Sequence, residues 1–227
     1  MLKQILKKIH IIHNIHIKHK LFIKKESYSM EGEDLIISQY TKNIKNGFYV
    51  DAGCYHPLHL NNTYLLHKKN WNGINIDLSE FSISLFNYLR PNDVNVNSAV
   101  SNKEGDITFY YQKQLSQITT TKKNISQERM QGFIKEKKIK AFSLNSILNN
   151  SKFKNRKIDF LNIDIEGADF EALQSLNFNT YRPKVICVEI IEKDLLNSKI
   201  FRYLDNLEYK KIWSSKSNFN HIFIEKT

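Results

Sequence analysis

Apolar and polar positions along the chain fall into short blocks that switch between a strand period and a helix period. Phe48-Tyr49-Val50 is a continuous apolar, β-prone run that stops at a carboxylate, Asp51, followed by the small pair Ala52-Gly53. After a stretch of helical character comes Ile74-Asn75-Ile76, which stops at Asp77. Runs of this kind read as buried parallel strands whose carboxyl ends face a ligand.

The later blocks continue the alternation. Ser79 can cap a helix from Glu80 to Leu89, whose Phe81, Leu85, Phe86 and Leu89 share a face and which Arg90-Pro91 stops. Val94 to Val100 predicts a third strand, with small residues at Ser98-Ala99. Gly105 to Tyr111 alternates as a strand with an antiparallel partner. Residues 112–140 are polar without a clear period, which predicts a lid, a binding loop or a disordered segment. Ala141 to Leu148 then predicts a strand leading into a short helix. Phe160 to Ile163 predicts a buried strand with Asp164 and Glu166 at its carboxyl end on one parity, followed by Gly167 and a helix over 170–176. Val185 to Val188 gives a further strand ending in Glu189. A helix over 201–207 and two strands, Tyr209 to Trp213 and His221 to Ile224, close the chain. Strand-helix units ending in a hairpin predict an α/β fold: an open, mostly parallel sheet with helices on both faces and an antiparallel edge.

In such a sheet the first strand-to-helix turn and the acid at the tip of the second strand converge on one crevice. Asp77 lies 24 residues after Gly53, close to the interval of roughly 20 expected for an acid that binds a ribose hydroxyl. The turn itself lacks G-x-G-x-x-G, because Gly53 is followed by Cys54, Tyr55, His56 and Pro57. That turn is poorly built for a diphosphate, which favours a nucleoside ligand without phosphates, such as S-adenosylmethionine. On this stretch alone, ordinary strand ends with solvated acids remain an equal reading.

Upstream, Leu2, Ile5, Leu6, Ile9, Ile12 and Ile15 recur at helical spacing with Lys and His between them, so residues 1–28 predict a basic amphipathic helix ahead of a domain over 29–227. Charged and His residues interrupt every window long enough to span a bilayer, and no uninterrupted apolar core of a secretory signal follows. The helix either packs on the domain or a partner chain, or lies on an anionic membrane surface. Its His10, His13, His16 and His19 fall three apart and drift round the helix instead of stacking as a metal pair. The acids of Glu31-Gly32-Glu33-Asp34 read as capping of the following helix.

Composition narrows the picture. At 227 residues, 41% hydrophobic and 12% aromatic, the chain can bury one substantial core and is not largely disordered. The net charge of +11 is uneven: residues 1–25 hold seven Lys and no acid, and the remaining 27 basic side chains face 23 acidic ones. The nearly balanced body argues against a nucleic-acid partner. Two Cys, Cys54 and Cys187, make no framework, which predicts a reducing, cytoplasmic location, with a membrane-peripheral one left open.

Taken together, Met30-Glu31-Gly32-Glu33-Asp34, Phe48 to Gly53, Pro57, Asn62-Thr63, Trp71 to Asp77, Arg90-Pro91, Ala99-Val100-Ser101, Ile158 to Leu161, Ile163 to Gly167 and Arg182-Pro183 to Glu189 resemble, in order, the FkbM family of S-adenosylmethionine-dependent methyltransferases. The resemblance implies a class I methyltransferase fold with a seven-stranded sheet, and methyl transfer to a hydroxyl of a sugar, glycan or other small-molecule acceptor. It places Asp51, Ala52 and Gly53 by the methionine part of S-adenosylmethionine, Asp77 on the ribose, Ser98 and Ala99 near the adenine, and Asp164 near the sulfonium and acceptor. Glu33, Asn62 and Thr63 would close the pocket. A hydroxyl must lose its proton, so a base or a metal is expected. Asp164, Glu166 and Glu189 can serve as base. Asp164 and Glu189 are the carboxylates expected to hold Mg2+ if a metal is used. His56 and His59 could also act as base, although a His in such a place is more often structural. Two rival functions stay open: a non-catalytic partner that keeps the fold, and a nucleic-acid methyltransferase drawn by the basic tail.

Overall fold

The computed structural model describes residues 2–192 and 194–226. In chain order the elements are α1 (Leu2–Ile12), a π-helical turn (His13–Lys18), α2 (Glu33–Tyr40), β1 (Phe48–Ala52), α3 (Tyr64–His67), β2 (Asn72–Asp77), α4 (Glu80–Leu89), β3 (Val94–Asn97), β4 (Ala99–Val100), β5 (Gly105–Tyr111), α5 (Lys123–Arg129), β6 (Lys135–Phe142), α6 (Leu144–Asn149), β7 (Phe160–Ile163), α7 (Asp169–Gln174), α8 (Phe178–Tyr181), β8 (Val185–Glu189), a 3-10 turn (Leu195–Asn197), α9 (Lys199–Asn206), β9 (Tyr209–Ser214) and β10 (Asn220–Glu225). Seven strands form one sheet in the order β3-β2-β1-β7-β8-β10-β9. The first five run parallel, and β10 lies antiparallel between β8 and β9. This is the class I methyltransferase-like sheet that the resemblance implied.

Strand parity divides the core. Phe48, Val50, Leu161, Ile163, Ile186 and Val188 point to the face packed with residues of α6 to α9. Tyr49, Phe160, Val185, Cys187 and Ile222 point to the opposite face, where Ile37, Leu66 and Trp71 cover them. β1, β7 and β8 are buried along their whole length, as strands covered on both faces must be. The same parity carries Asp51, Asn162 and Glu189 to one side at the carboxyl edge. Helix starts follow capping chemistry: the Ser79 side chain accepts from the Ser82 amide and that of Ser143 from the Ser146 amide.

Three expectations change. The strand expected over 94–100 breaks at Ser98: β3 ends in the main sheet and β4 crosses to a separate three-stranded sheet, β4-β6-β5. Residues 135–140, expected within an aperiodic loop, form most of β6. It escaped the periodic reading because Lys135, Glu136, Lys137 and Lys138 are all exposed, so both of its faces are polar there. The rest of that loop contains α5.

The amino-terminal helix runs on from Ile12 through the π-helical turn to Lys18, and the chain then turns back on the domain. Ile11 and Ile15 pack with Phe81 and Leu85, and Tyr28 with Leu58 and Tyr64. His56 is fully buried: its Nδ1 accepts from the Leu58 and His59 amides, and its Nε2 meets Asn14 Oδ1 at 2.7 Å. Burial pushes its pKa down to about 2. His56 is therefore a neutral structural tie and not a base. His59 stacks on His19 at 4.4 Å, against the same amino-terminal segment. Among the described residues no helix is long and apolar enough to cross a membrane.

Candidate active site

The turn after β1 hooks over the tip of β2. The Gly53 and Cys54 amides both donate to the Ile76 carbonyl, at 2.9 and 3.1 Å, and the Tyr55 amide donates to Asp77 Oδ2 at 2.8 Å. All three amides are thus engaged inside the protein, and none is left to cradle a phosphate, in keeping with the missing glycine fingerprint. Gly53 has φ +81°, and a Cβ built on it would stand 1.7 Å from the Asp164 carbonyl oxygen. The neighbouring strand tip by itself requires a glycine there.

Two adjoining compartments open at this edge. The narrower, of about 50 Å³, is lined by Gly53, Asp77, Leu78, Ser98, Ala99 and Asp164, with Ser116, Gln117, Thr119 and Thr121 as its outer wall. The wider, of about 360 Å³, is lined among others by Glu33, Asp51, Asn62, Asn162, Asp164, Glu166 and Glu189, and by Arg129. Gly53, Tyr55, Gln117, Asp164 and Glu166 belong to both.

The narrow compartment has the features a nucleoside needs. Each Asp77 oxygen accepts one backbone amide, from Ser79 at 2.7 Å and Tyr55 at 2.8 Å, so lone pairs are left for a diol. Burial pushes the Asp77 carboxyl up to about 6. Ser98 Oγ is buried with no protein partner, an unsatisfied group that a ligand nitrogen would complete. Ala99 beside it adds a flat apolar wall. At its present size the compartment is below the roughly 300 Å³ at which small-molecule pockets begin. Residues of the 116–121 segment form its outer wall. Thr120 latches that wall, donating from Oγ1 to the Glu166 carbonyl at 2.7 Å and pairing with Tyr110.

The wide compartment gathers carboxylates. Asp164 follows the end of β7, and no described residue donates a hydrogen bond to its carboxylate. Burial, reinforced by Glu189, Asp169 and Asp51, pushes its pKa well up against the opposing Arg129. Glu166 sits in a left-handed turn at φ +56°, past the strand, so the parity expected to align it with Asp164 does not apply. Burial and Asp164 raise Glu166 to about 8, and burial, Asp169 and Glu166 raise Glu189 to about 8. Glu189 Oε2 is buried without a partner. Asp169, which sequence reasoning left unassigned, staples the turn by accepting from the Ile165 and Gly167 amides at 3.0 Å each.

Some expected residues stand elsewhere. Asp51 reaches the wide compartment, but its oxygens are engaged by Asn162 at 2.9 Å, Thr63 at 2.9 Å and Asn61 at 3.3 Å. Thr63 lines neither compartment and relays Asp51 to Arg90. Ala52 has core parity and lines neither. Asn62 donates to Asn162 Oδ1 at 2.9 Å, and Glu33 holds the Glu31 amide at 2.7 Å and Asn220 at 2.9 Å. Among the described residues no three His, Cys, Asp or Glu side chains are arranged to share an ion, and nothing in the geometry adds support for Mg2+ at Asp164 and Glu189. Arg129 is the positive charge beside Asp164 and Glu189.

Two functional-looking residues were not singled out from sequence. Arg129, at the end of α5, pairs with Glu166 and lies 3.9 Å from Glu189. A lone Arg in a Lys-rich loop, one of five in the chain, is the signal that could have found it. Arg90, read as a helix stop, is fully buried and donates to Tyr49, Thr63, Asn61 and the Pro57 carbonyl at 2.6–2.9 Å.

A profile of the Methyltransferase FkbM domain matches residues 51–211, more than two thirds of the chain. A search of curated proteins finds no match. Among solved structures, a TehB-like SAM-dependent methyltransferase from Corynebacterium glutamicum is similar at 10% identity and a TM-score of 0.46, over 87% of this chain and 89% of that one.

Proposed function

Because the chain belongs to the FkbM methyltransferase family, we propose that it transfers the methyl group of S-adenosylmethionine to a hydroxyl of a carbohydrate-type acceptor held in the wide compartment. The observation that carries this reading is the position of Asp164, a carboxylate without a protein partner on the wall common to both compartments. Bound S-adenosylmethionine supplies an electrophilic methyl on a sulfonium, which becomes a thioether when the acceptor oxygen takes that methyl.

The residues of the chain do the rest. Asp77 holds the ribose diol, and Ser98 and Ala99 receive the adenine. Asp164 faces the positive charge, which favours its ionised form and offsets the burial that raises its pKa. Glu189 takes the acceptor proton on the free Oε2, and a pKa of about 8 suits that transfer near neutral pH. Arg129 holds Glu166 to the wall. Positioning by the two compartments supplies much of the remaining rate.

The test is calorimetric titration with S-adenosylmethionine, followed by methyl release to a panel of sugars and glycans. Asp77→Ala is expected to weaken binding about 100-fold, the equivalent of two lost hydrogen bonds to a charged group. Undiminished binding in Asp77→Ala would remove the ribose assignment. Strong binding with no turnover on any hydroxyl acceptor would remove the acceptor class.

A further inference from the structure

The apolar stripe of α1 is not buried by the fold. Leu2, Ile5, Leu6, Ile9 and Ile12 are between 46% and 70% exposed, whereas a helix that packs on a core buries such a stripe. With about 100° between successive residues, these five fall within an arc of about 120°. The domain holds the other side: Lys7 donates to Glu80 at 3.0 Å, His10 stacks on Phe81 at 4.6 Å, and Ile11 is buried against Phe81 and Leu85. The stripe points outward, with Leu6 at its margin lining a cavity.

Charge says what covers it. Lys3 and Lys8 flank the stripe, Lys18, Lys20, Lys24 and Lys25 follow it in the chain, and no acid lies in residues 1–25. Downstream, Ile17, Phe22 and Ile23 are also exposed, Phe22 by 76%, among those same lysines. An outward apolar face edged by Lys3 and Lys8, with Glu80 of the domain neutralised by Lys7, fits the interface of an anionic bilayer, with side chains among acyl chains and ammonium groups at the headgroups. A cytosolic protein partner would have to bring its own clustered acids.

We infer that residues 2–25 form a docking surface for an anionic lipid bilayer. The proposal does not depend on the acceptor or on the proposed methyl transfer. It orients the molecule. Leu6, Lys7 and His10 form one wall of a cavity of about 410 Å³ whose far side, Leu78 and Thr119, also lines the nucleoside compartment. Docking sets that cavity beside the membrane.

The experiment is cosedimentation of the full chain with phosphatidylcholine vesicles, with and without phosphatidylglycerol, at low and high salt. Binding is expected to need the anionic lipid and to fall with salt. Ile5→Ser/Ile9→Ser is expected to weaken it about 100-fold through lost apolar insertion. Lys3→Glu/Lys8→Glu is expected to weaken it at least about tenfold. All four positions are exposed, so thermal unfolding and S-adenosylmethionine titration should match the parent and separate a docking failure from a folding or cofactor failure. No binding to anionic vesicles, or binding unchanged in the isoleucine variant, would overturn the proposal. So would a dimer in sedimentation that the isoleucine variant abolishes, which would assign the stripe to a second copy.

Discussion

Replacing Gly53 by Ala tests whether the β1 and β7 tips are locked together as described. At φ +81° a non-glycine residue loses about 1–2 kcal/mol. The new Cβ must also move from 1.7 Å to at least 3.0 Å from the Asp164 carbonyl oxygen. The backbone resists that shift, because the Asp164 amide donates to the Ala52 carbonyl at 3.0 Å and the Gly53 amide to the Ile76 carbonyl at 2.9 Å. Loss of both bonds costs about 1 kcal/mol each, for a total of about 3–4 kcal/mol. In a domain of this size that lowers the melting temperature by about 10 °C. Gly132→Ala is the control, since Gly132 has φ +86° with nothing near its Cβ and should lose only the conformational part, about 3–5 °C. The assay is thermal unfolding by circular dichroism with S-adenosylmethionine titration alongside. If Gly53→Ala melted within about 2 °C of Gly132→Ala and bound S-adenosylmethionine like the parent, the close approach of the two tips would be refuted.

Two further outcomes follow from buried charge. Arg90→Met takes the guanidinium donor from four buried acceptors, of which Asn61 Oδ1 alone keeps others, from Thr63, and should destabilise by about 3–5 kcal/mol, read as an earlier denaturation midpoint; an unchanged midpoint would show that the guanidinium is dispensable. Glu166 and Glu189, raised from 4.5 to about 8, favour the fold less as pH rises, because the unfolded chain ionises them first. Ligand-free stability should therefore fall between about pH 4.5 and 8. Binding of the sulfonium should release protons and tighten over the upper part of that window. Titration in buffers of different ionisation enthalpy checks this, and equal heats in all buffers at pH 7 would contradict it.

Much of the site was legible because parallel strands announce their ends. Asp51, Asp77 and Glu189 each close an apolar run, and the topology of an open sheet brings such ends to one edge. Contacts between side chains distant in sequence were not legible. Thr63 was expected to close the pocket and Arg90 to stop a helix, yet with Asn61 and Tyr49 they form one buried network around Asp51 and Asp93. The close approach of Gly53 to the Asp164 carbonyl was likewise hidden. β6 was hidden because its lysines face solvent on both sides, and with it went the framework that carries Arg129 back to the carboxylates.

The ends of the β5-to-β6 excursion bear on how such an enzyme could change its acceptor. Tyr111 and Lys135 are directly paired across the small sheet, so the chain leaves and re-enters at neighbouring positions about 5 Å apart. Everything between them, including Gln117, Thr120 and Arg129, is a cassette hung from a hairpin. Its length and sequence can drift without disturbing the register of either sheet, provided that Thr120 and Arg129 keep their contacts with Glu166. The strand-tip edge and most of the segment that covers it are thus separately variable parts of one chain, joined at Glu166.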